Sequence, residues 1–406
     1  MSLFNPMRSA LVTVVFTAGC AGTDLSTSDV DYDVDDDGLI EINSLADLSE
    51  IRNNLTGDGL YGSNDGCPVQ GCRGFELAQD LDFDTNGNGQ FDEGDDYWNQ
   101  GKGWLPIAHR VIGAEPGFST IFDGNGYQIK NLSINRPDEW GVGLFSFLQQ
   151  GAKVKNLGLT GRASNVVGRE TVGALAGLVV DASIVAVHSE VTVHGPSTVG
   201  GITGLLRRSS LMDSHVKSNL TAENHSIGGL VGVMDDSHLR GVFFEGAIEA
   251  GINSAGGIAG VSRSGSVEAC FTNAKIQILG DDPDNPANGL YAGGIVGAGD
   301  VDVSGCFSLS EISASGGISP ISPNSEGAGI GLNNYWVGSS PQLTQGANTR
   351  DTLECPEEAG SSGCASEILF LGWDSFVNDL GEPYWDFGSI GQLPGLSISG
   401  VIHRPQ

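Results

Sequence analysis

Basic and aromatic residues are both scarce in this chain of 406 residues. Nineteen Lys and Arg stand against 50 Asp and Glu, which gives a net charge of -31, and aromatic residues make up 7%. Such a surface repels phosphate backbones, so we expect no nucleic-acid partner. This excess of acidic over basic residues favours an extracellular, solvated or calcium-loaded protein.

Long apolar runs are missing as well. The N-terminal run Ala10–Phe16, preceded by Arg8, is too short to span a bilayer and is typical of a signal peptide. It is followed by TAGC, which ends at Cys20 and is close to a lipoprotein box. We expect a signal peptide over 1–19, lipid attachment at Cys20 and a linker over 20–30. Ordinary signal cleavage beside an unrelated Cys is the alternative.

Sequence signatures of common hydrolases and nucleotide-binding enzymes are also missing. The chain contains no HExxH, no GxSxG and no Walker loop. HExxH would supply two histidine ligands for a catalytic zinc, and GxSxG would supply an activated serine. The sequence therefore predicts a protein that is not an enzyme.

The chain does contain a short glycine string in five copies. The copies VGALAG, VGGITG, IGGLVG, AGGIAG and AGGIVG begin at Val172, Val199, Ile227, Ala255 and Ala292. The first Gly of each copy follows the previous one by 27, 28, 28 and 37 residues. After each copy apolar and polar residues alternate, as in strands, and a unit this short must bury its apolar face against its neighbours. These features predict an all-β fold, a β-helix (β-solenoid) with about 28 residues per coil.

Capping regions are expected at both ends of the β-helix, because open sheet edges associate end to end. We place an N-terminal cap with calcium-type loops over 31–112, the repeat β-helix over 113–334 and a C-terminal cap over 335–406. The longest interval contains DDPDNPANG at 281–289, a turn-rich insertion that should bulge from one face.

One twelve-residue segment of the N-terminal region matches a calcium loop. It has oxygen ligands at positions 1, 3, 5, 9 and 12 and Gly at position 6, a spacing that wraps hard oxygens round one centre. The predicted ligands are Asp84, Asn86, Asn88, Gln90, Asp92 and Asp95. The alternative is an Asn-Gly turn that binds nothing.

A second acidic segment matches the same spacing less well. Its ligands would be Asp33, Asp35, Asp37 and Glu41, but position 12 is Ser44. That serine also fits the N-cap of a following helix, a role that competes with cation binding. We rank this site below the first, as a partial calcium site or a solvated acidic linker.

The cysteines other than Cys20 imply an oxidising compartment. The first two and the last two would close small loops, and the middle two occupy equivalent places in consecutive coils. Adjacent strands lie about 4.8 Å apart, so the middle pair forms either a disulfide or a reduced ladder in the core. The candidates are Cys67, Cys72, Cys270, Cys306, Cys355 and Cys364.

Aligning the repeats places five ring-bearing residues in one column, which we call the ring column. Its members are His188, His215, Phe243, Phe271 and Phe307. The alternation predicts that they point outward, and an exposed apolar strip usually marks a contact surface. The ring column is therefore a candidate binding surface, unless the insertion or the C-terminal segment covers it.

A column of charged residues runs beside the ring column. Glu190, Lys217 and Glu245 stand at equivalent positions in consecutive repeats. Two carboxylates two coils apart would lie about 9 to 10 Å from each other, near the separation in an inverting glycosidase. Alternating charges are also what cross-strand pairing favours, and we prefer this structural explanation. A polysaccharide lyase or glycosidase using Glu190 and Glu245 is the enzyme alternative.

The glycine strings resemble the GLUG motif of bacterial surface proteins. The resemblance covers the chain from about Asp31 onward, including FDGNGYQIKNLSI from Phe122, GLNNYW from Gly331 and WDFGSIGQLPGL from Trp385. Some members of that family are adhesin-like, and others precede an immunoglobulin A peptidase domain.

The resemblance and the lipoprotein box together imply a bacterial cell-envelope protein, at the outer membrane or cell surface. We expect a non-catalytic lipoprotein that binds an extracellular glycan or a surface protein and meets the membrane only through its lipid anchor. A structural surface protein without a specific ligand is the plainer alternative. Calcium is the cofactor we expect.

Overall fold

The computed structural model confirms the predicted all-β fold. Strands account for 49% and helices for 5%, and the chain forms a β-solenoid of about 7 turns spaced by about 28 residues. The predictions for Cys20, Cys364 and the insertion lie outside the described residues. The structure describes residues 31–109, 116–280, 290–323, 334–337, 352–355, 373–387 and 393–405.

The largest sheet, called the main sheet here, has 18 strands that pair in parallel. Parallel pairing between successive coils is how each coil buries the apolar face that it cannot bury alone. The strands are Ile40–Ile42, Gly74–Leu77, Leu81–Asp82, Ile121–Asp123, Gln128–Lys130, Ser133–Asn135, Lys153–Thr160, Asn165–Val167, Ser183–Ser189, Thr192–Gly195, Ser210–Met212, His215–Ala222, Ser237–Ala250, Gly265–Ile278, Asp302–Ser308, Glu311–Ser313, Asn334–Val337 and Thr352–Cys355.

Two further parallel sheets of six strands each are built by the glycine strings. The first contains Thr171–Gly173, Thr198–Gly200, Ile227–Gly228, Ser254–Gly256, Tyr291–Gly293 and Gly317–Ser319. The second contains Phe145–Leu148, Ala176–Val180, Thr203–Arg207, Val231–Asp235, Ala259–Ser262 and Val296–Gly299. Each of the five glycine strings thus contributes one strand to each of these sheets, and the sixth strands are Gly317–Ser319 and Phe145–Leu148.

Several of the repeated glycines lie where successive coils approach closely. A Cβ added to Gly229 would meet the carbonyl oxygen of Gly257 at 2.0 Å and the ring of Phe244 at 2.4 Å. Gly257 would meet the oxygen of Gly294 at 2.1 Å in the same way. These positions exclude a side chain because the neighbouring backbone fills the space.

Inside the coils, apolar side chains stack in register. Ile184, Leu211, Leu239, Val267 and Val303 are direct partners along the main sheet. All five are fully buried. The repeat alignment therefore predicted the core of this region correctly.

One corner of the coil is formed by residues with left-handed backbone conformations. Non-glycine residues adopt this region only where the fold demands it, so its recurrence shows that the same turn is made in each coil. The corner residues, with their φ angles, are Asn156 (53°), Ala186 (55°), Asp213 (51°), Gly241 (65°), Ala269 (49°) and Gly305 (61°).

The main sheet extends beyond both predicted boundaries of the β-helix. Ile40–Ile42 pairs with Gly74–Leu77, which pairs with Ile121–Asp123, so the segment predicted as an N-terminal cap already belongs to the sheet. At the other end, Asn334–Val337 pairs with Thr352–Cys355. The main sheet therefore includes strands from all three segments that the sequence divides at 113 and 335, and the boundaries themselves stay predictions.

The helices in the described residues are short, and Leu48 and Ile51 of the first two are buried in the core. The α-helix Leu45–Glu50 begins after Ser44, whose Oγ accepts a hydrogen bond of 3.1 Å from the Asp47 amide. Among the residues that the structure describes, no helix is long and apolar enough to cross a bilayer. The 3-10 helices of the described ranges are Ile51–Asn53, Asn99–Gly101 and Trp373–Ser375.

The C-terminal segment, residues 373–405, ends in a small antiparallel sheet of three strands. Its strands are Trp385–Asp386, Gly395–Ile398 and Val401–His403. The described part of this segment packs against the flank of the β-helix, because its buried aromatic and aliphatic residues form one cluster with the phenylalanines of the ring column. It therefore covers a side of the coils, whereas the sequence predicted a cap at the end.

Candidate functional site

The ring column forms a continuous stack, as the repeat alignment predicted. The rings of His188 and His215 lie 5.3 Å apart, those of His215 and Phe243 4.5 Å apart, and those of Phe243 and Phe271 4.5 Å apart. The planes of each pair differ by no more than 9°. Phe307 continues the column because it pairs directly with Phe271.

The ring column is not an exposed surface, so that part of the prediction is wrong. Phe243, Phe271 and Phe307 are fully buried. They pack with residues of the C-terminal segment, and the ring of His403 lies 4.8 Å from that of His215. The residues that cover the column are Trp373, Tyr384, Trp385, Leu396 and Ile398. The sequence left open that the C-terminal segment covers the ring column. This cover explains the apolar strip.

The corner beside the ring column accommodates the aromatic residues of this segment. A Cβ on Gly241 would lie 2.3 Å from the ring of Tyr384, and one on Gly305 would lie 2.4 Å from the ring of Phe376. The hydroxyl of Tyr384 is hydrogen-bonded to the Asp213 side chain. Glycine at two corner positions thus lets aromatic rings seat directly on the backbone.

Burial suppresses the charge of the histidines in the ring column. Burial, with the nearby charges of His188, His403 and Lys217, lowers the pKa of His215 to about 3. Burial also lowers the pKa values of His188 and His403. These rings are therefore neutral when the C-terminal segment is packed on them.

Acidification is expected to destabilise the protein through His215. In the unfolded chain this histidine gains a proton below about pH 6.5, whereas the folded state resists protonation until about pH 3. Stability is therefore fully present above pH 6.5 and is lost as the pH falls, by about 1–2 kcal/mol between pH 7 and pH 5. Urea unfolding of the wild type and of His215→Phe at these two pH values measures the difference.

His215→Phe keeps a stacking ring but cannot titrate, so its stability should depend less on pH than that of the wild type. His225→Phe is the matched control, because His225 is exposed. An equal pH dependence in the wild type and His215→Phe would contradict this prediction.

The charge column is built as a cross-strand ion pair. Lys217 and Glu245 are direct partners in the main sheet, and the Lys217 Nζ lies 2.8 Å from the Glu245 Oε2. Glu190 is exposed on the preceding coil. The geometry fits the charge-pairing explanation, since the lysine that separates the two carboxylates binds one of them.

The first and last carboxylates of the loop from Asp84 to Asp95 accept hydrogen bonds from backbone amides of the same loop. Asp84 accepts hydrogen bonds from the amides of Asn88 and Gly89, at 3.0 and 2.7 Å. Asp95 accepts from the amides of Asn86 and Asp92, at 3.1 and 2.8 Å.

A third carboxylate of this loop accepts hydrogen bonds from amide side chains. Asp92 accepts hydrogen bonds from the side chains of Asn86 and Asn88, at 3.2 and 2.8 Å, and the backbone amide of Gln90 donates to the Asn88 Oδ1. The predicted ligands are therefore brought together, but the hydrogen bonds that hold them come from the protein itself. Calcium binding here stays a prediction.

The second acidic segment brings more carboxylates together than the sequence predicted. Oxygens of Asp33, Asp35 and Asp37 lie within 4.8 Å of one another, and so do oxygens of Asp35, Glu41 and Glu76. We call these five side chains the acidic cluster. Glu76 belongs to the next coil, where it is the direct strand partner of Glu41.

Sequence reasoning missed Glu76 because the twelve-residue spacing counts only along the chain. The signal was present in the alternating strings IEI at 40–42 and FEL at 75–77, whose pairing places the two glutamates side by side. Ser44, which occupies position 12 of the loop, caps the helix as the sequence suggested. Glu76 thus adds a carboxylate to a loop whose position 12 offers none.

The acidic cluster is buried on one side, at Asp33 and Glu76, while Asp35 and Asp37 are exposed. Asp33 is 1% exposed and Glu76 is 7% exposed. Burial and the surrounding carboxylates raise the pKa of Glu76 to about 7, and burial also raises the pKa values of Asp33 and Glu41. Hard oxygens in this arrangement are suited to Ca²⁺ or Mg²⁺.

Comparison with known sequences gives partial matches. No protein-family model matches the chain. It is 31% identical over 172 residues to "Halomucin" of Haloquadratum walsbyi, a match that covers 42% of this chain and 2% of that protein. It is 34% identical over 137 residues to a "Putative Gly-rich membrane protein" of Evansella cellulosilytica, covering 34% of this chain and 13% of that protein. The chain thus spans a small part of the length of these curated relatives.

Comparison with solved structures supports the fold. A crystal structure of a "putative immunoglobulin A1 protease from Bacteroides ovatus" has a TM-score of 0.50 and 16% identity, and the match covers 89% of this chain and 93% of that chain. A second structure, "IgA1 Protease", has a TM-score of 0.45 and 17% identity over 73% of this chain and 21% of that chain. At the identity of the first match the likeness concerns the fold alone, and it agrees with the β-helix described above.

Proposed function

We propose that the protein is a non-catalytic cell-surface lipoprotein whose β-helix is a rigid scaffold for binding a glycan or another surface protein. The observation that carries the proposal is the exact repetition of register from coil to coil, which sets outward side chains in straight columns. The names of the two sequence relatives, one a halomucin and one a membrane protein, fit a location at the cell surface.

The exposed face of the main sheet is the binding surface that we propose. Since the ring column is covered, the outward columns beside it are the ones open to a ligand. Thr192, Asn219 and Lys275 are exposed there, and Ala247 is the direct partner of both Asn219 and Lys275. Thr192 and Asn219 lie on neighbouring strands, about 4.8 Å apart, and Lys275 lies two strands from Asn219, so these side chains can bind a polar polymer that lies along the coils.

A binding screen with the purified protein tests this function. We expect saturable binding to a glycan or surface protein without release of product, and weaker binding by Asn219→Ala combined with Lys275→Ala. Asp379→Asn, an exposed change in the C-terminal segment and outside the main sheet, is the control. Turnover of a polysaccharide that is lost in Glu245→Gln would instead support the enzyme hypothesis based on Glu190 and Glu245.

Membrane attachment is tested separately through Cys20. Diacylglycerol on this residue would hold the protein at the membrane without a spanning helix. We expect the wild type to fractionate with membranes and Cys20→Ala to appear in the soluble fraction. A Cys20→Ala variant that still fractionates with membranes would contradict lipid anchoring.

A further inference from the structure

The acidic cluster lies where the first strand of the main sheet meets the second. Asp33, Asp35 and Asp37 belong to the turn before Ile40–Ile42, Glu41 to that strand and Glu76 to the next. The cluster therefore spans two coils that are joined in sequence only through the 31 residues between 42 and 74.

The turn holds one oxygen of each aspartate and leaves others free. The Gly38 amide donates to the Asp33 Oδ2 at 2.9 Å, the Leu39 amide to the Asp37 Oδ1 at 2.7 Å, and the Asp37 amide to the Asp35 Oδ1 at 3.2 Å. Gly38 has a φ of 87°, which lets the backbone turn tightly round the carboxylates. The turn is thus shaped before any ligand arrives.

Two buried oxygens of the cluster have no hydrogen-bond donor. They are the Asp33 Oδ1 and the Glu41 Oε2. Asp33 is 1% exposed, so water does not replace the missing donor. A buried polar atom without a partner costs about 1–3 kcal/mol, and a charged one costs more, so such atoms call for a ligand.

Cationic side chains do not neutralise the cluster. Among the described residues, none of the ten ion pairs involves any of its five carboxylates. Arg73 binds the backbone oxygen of Asp37, and Lys155 pairs with Asp123, the strand partner of Glu76 on the following coil. Like charges directly opposite on neighbouring strands destabilise a sheet, so a bound cation would relieve the repulsion between Glu41 and Glu76.

We propose that Asp33, Asp35, Asp37, Glu41 and Glu76 bind calcium, and that Glu76 supplies from the second coil the carboxylate that the loop lacks at position 12. Calcium takes six to eight oxygens in a flexible cage, which five carboxylates and backbone oxygens provide, whereas Mg²⁺ keeps several of its waters. The ion bridges two coils, so its binding stabilises the start of the solenoid. This inference is independent of the surface-binding function proposed above.

Glu76→Gln distinguishes a ligand from a structural carboxylate. In calcium-free protein the change removes a buried negative charge from a repulsive cluster, so the melting temperature should rise. With excess calcium the change removes a ligand, so the melting temperature should fall below that of the wild type. Isothermal titration of the chelator-treated full chain with CaCl₂ should show that Glu76→Gln binds calcium at this site at least tenfold more weakly than the wild type.

Asp92→Asn is the matched control, because it removes a carboxylate from the other loop and leaves the acidic cluster intact. We expect it to retain the binding event that Glu76→Gln weakens. Unchanged calcium affinity in Glu76→Gln, or no calcium binding by the wild type at millimolar concentration, would overturn the proposal. If calcium does not bind to the acidic cluster, the expected results of the binding screen and of the Cys20→Ala fractionation stay the same.

Discussion

Gly229→Ala is expected to destabilise the protein by more than about 3 kcal/mol. The new methyl group would lie 2.0 Å from the carbonyl oxygen of Gly257 on the next coil and 2.4 Å from the buried ring of Phe244. Neither the strand backbone nor a buried ring can move without separating the coils. Urea unfolding followed by circular dichroism measures the loss as a lower midpoint.

Gly126→Ala is the control for this prediction. Gly126 has a φ of 79°, and nothing lies within 4 Å of an added Cβ. Its substitution should cost about 1–2 kcal/mol from backbone strain alone. If Gly229→Ala proved as mild as Gly126→Ala, close packing of the coils would not be the reason for the repeated glycines.

Phe271→Ala is expected to cost about 3–5 kcal/mol and to loosen the C-terminal segment. The ring is fully buried, is stacked 4.5 Å from that of Phe243, and belongs to the cluster that includes Trp373 and Trp385. Removing it leaves a cavity between the flank of the β-helix and the segment that covers it. Thermal melts measure the lost stability, and limited proteolysis measures the release of the segment.

Trp140→Ala provides a comparison of similar chemistry at a surface. Trp140 is 51% exposed, so its truncation should cost much less than that of Phe271. Protease cleavage in the C-terminal segment should become faster in Phe271→Ala and stay unchanged in Trp140→Ala. Equal cleavage rates for the wild type, Phe271→Ala and Trp140→Ala would show that the ring column does not hold the C-terminal segment in place.

The repeats determined how much of the fold could be predicted. Because each glycine string marks the same place in a coil, the alignment paired His188 with His215 and Cys270 with Cys306 correctly. It also indicated which side chains face inward. What covers the outward side depends on contacts with a segment that contains no repeat, so the burial of Phe243 could not be predicted.

The N-terminal coils were harder to predict because they lack the glycine string. Their strands Ile40–Ile42 and Gly74–Leu77 are short, and helical and turn segments separate them. Without a marker of coil position, the pairing of Glu41 with Glu76 was not evident from the sequence. The sequence therefore missed part of the acidic cluster, whereas the predicted ligands of the loop at Asp84 all lie within twelve residues and could be proposed from spacing alone.

The cysteine pairs also differ in how far the sequence could predict them, because one pair is close in sequence and the other joins two coils. Spacing alone suggested that Cys67 and Cys72 close a small loop, and the structure confirms this disulfide. For Cys270 and Cys306 the alignment established neighbouring positions but left both a disulfide and a reduced ladder open. The structure has them bonded, with Cα atoms 4.5 Å apart.

The bond between Cys270 and Cys306 has a consequence for chain integrity. The turn-rich insertion at 281–289 lies between the two cysteines in sequence, so they bracket it. A single protease cut in the insertion would divide the polypeptide into two pieces that stay covalently joined through sulfur. Outside the cell, where proteases are common and thiols are oxidised, a nicked molecule would keep its coils in register and separate only after reduction.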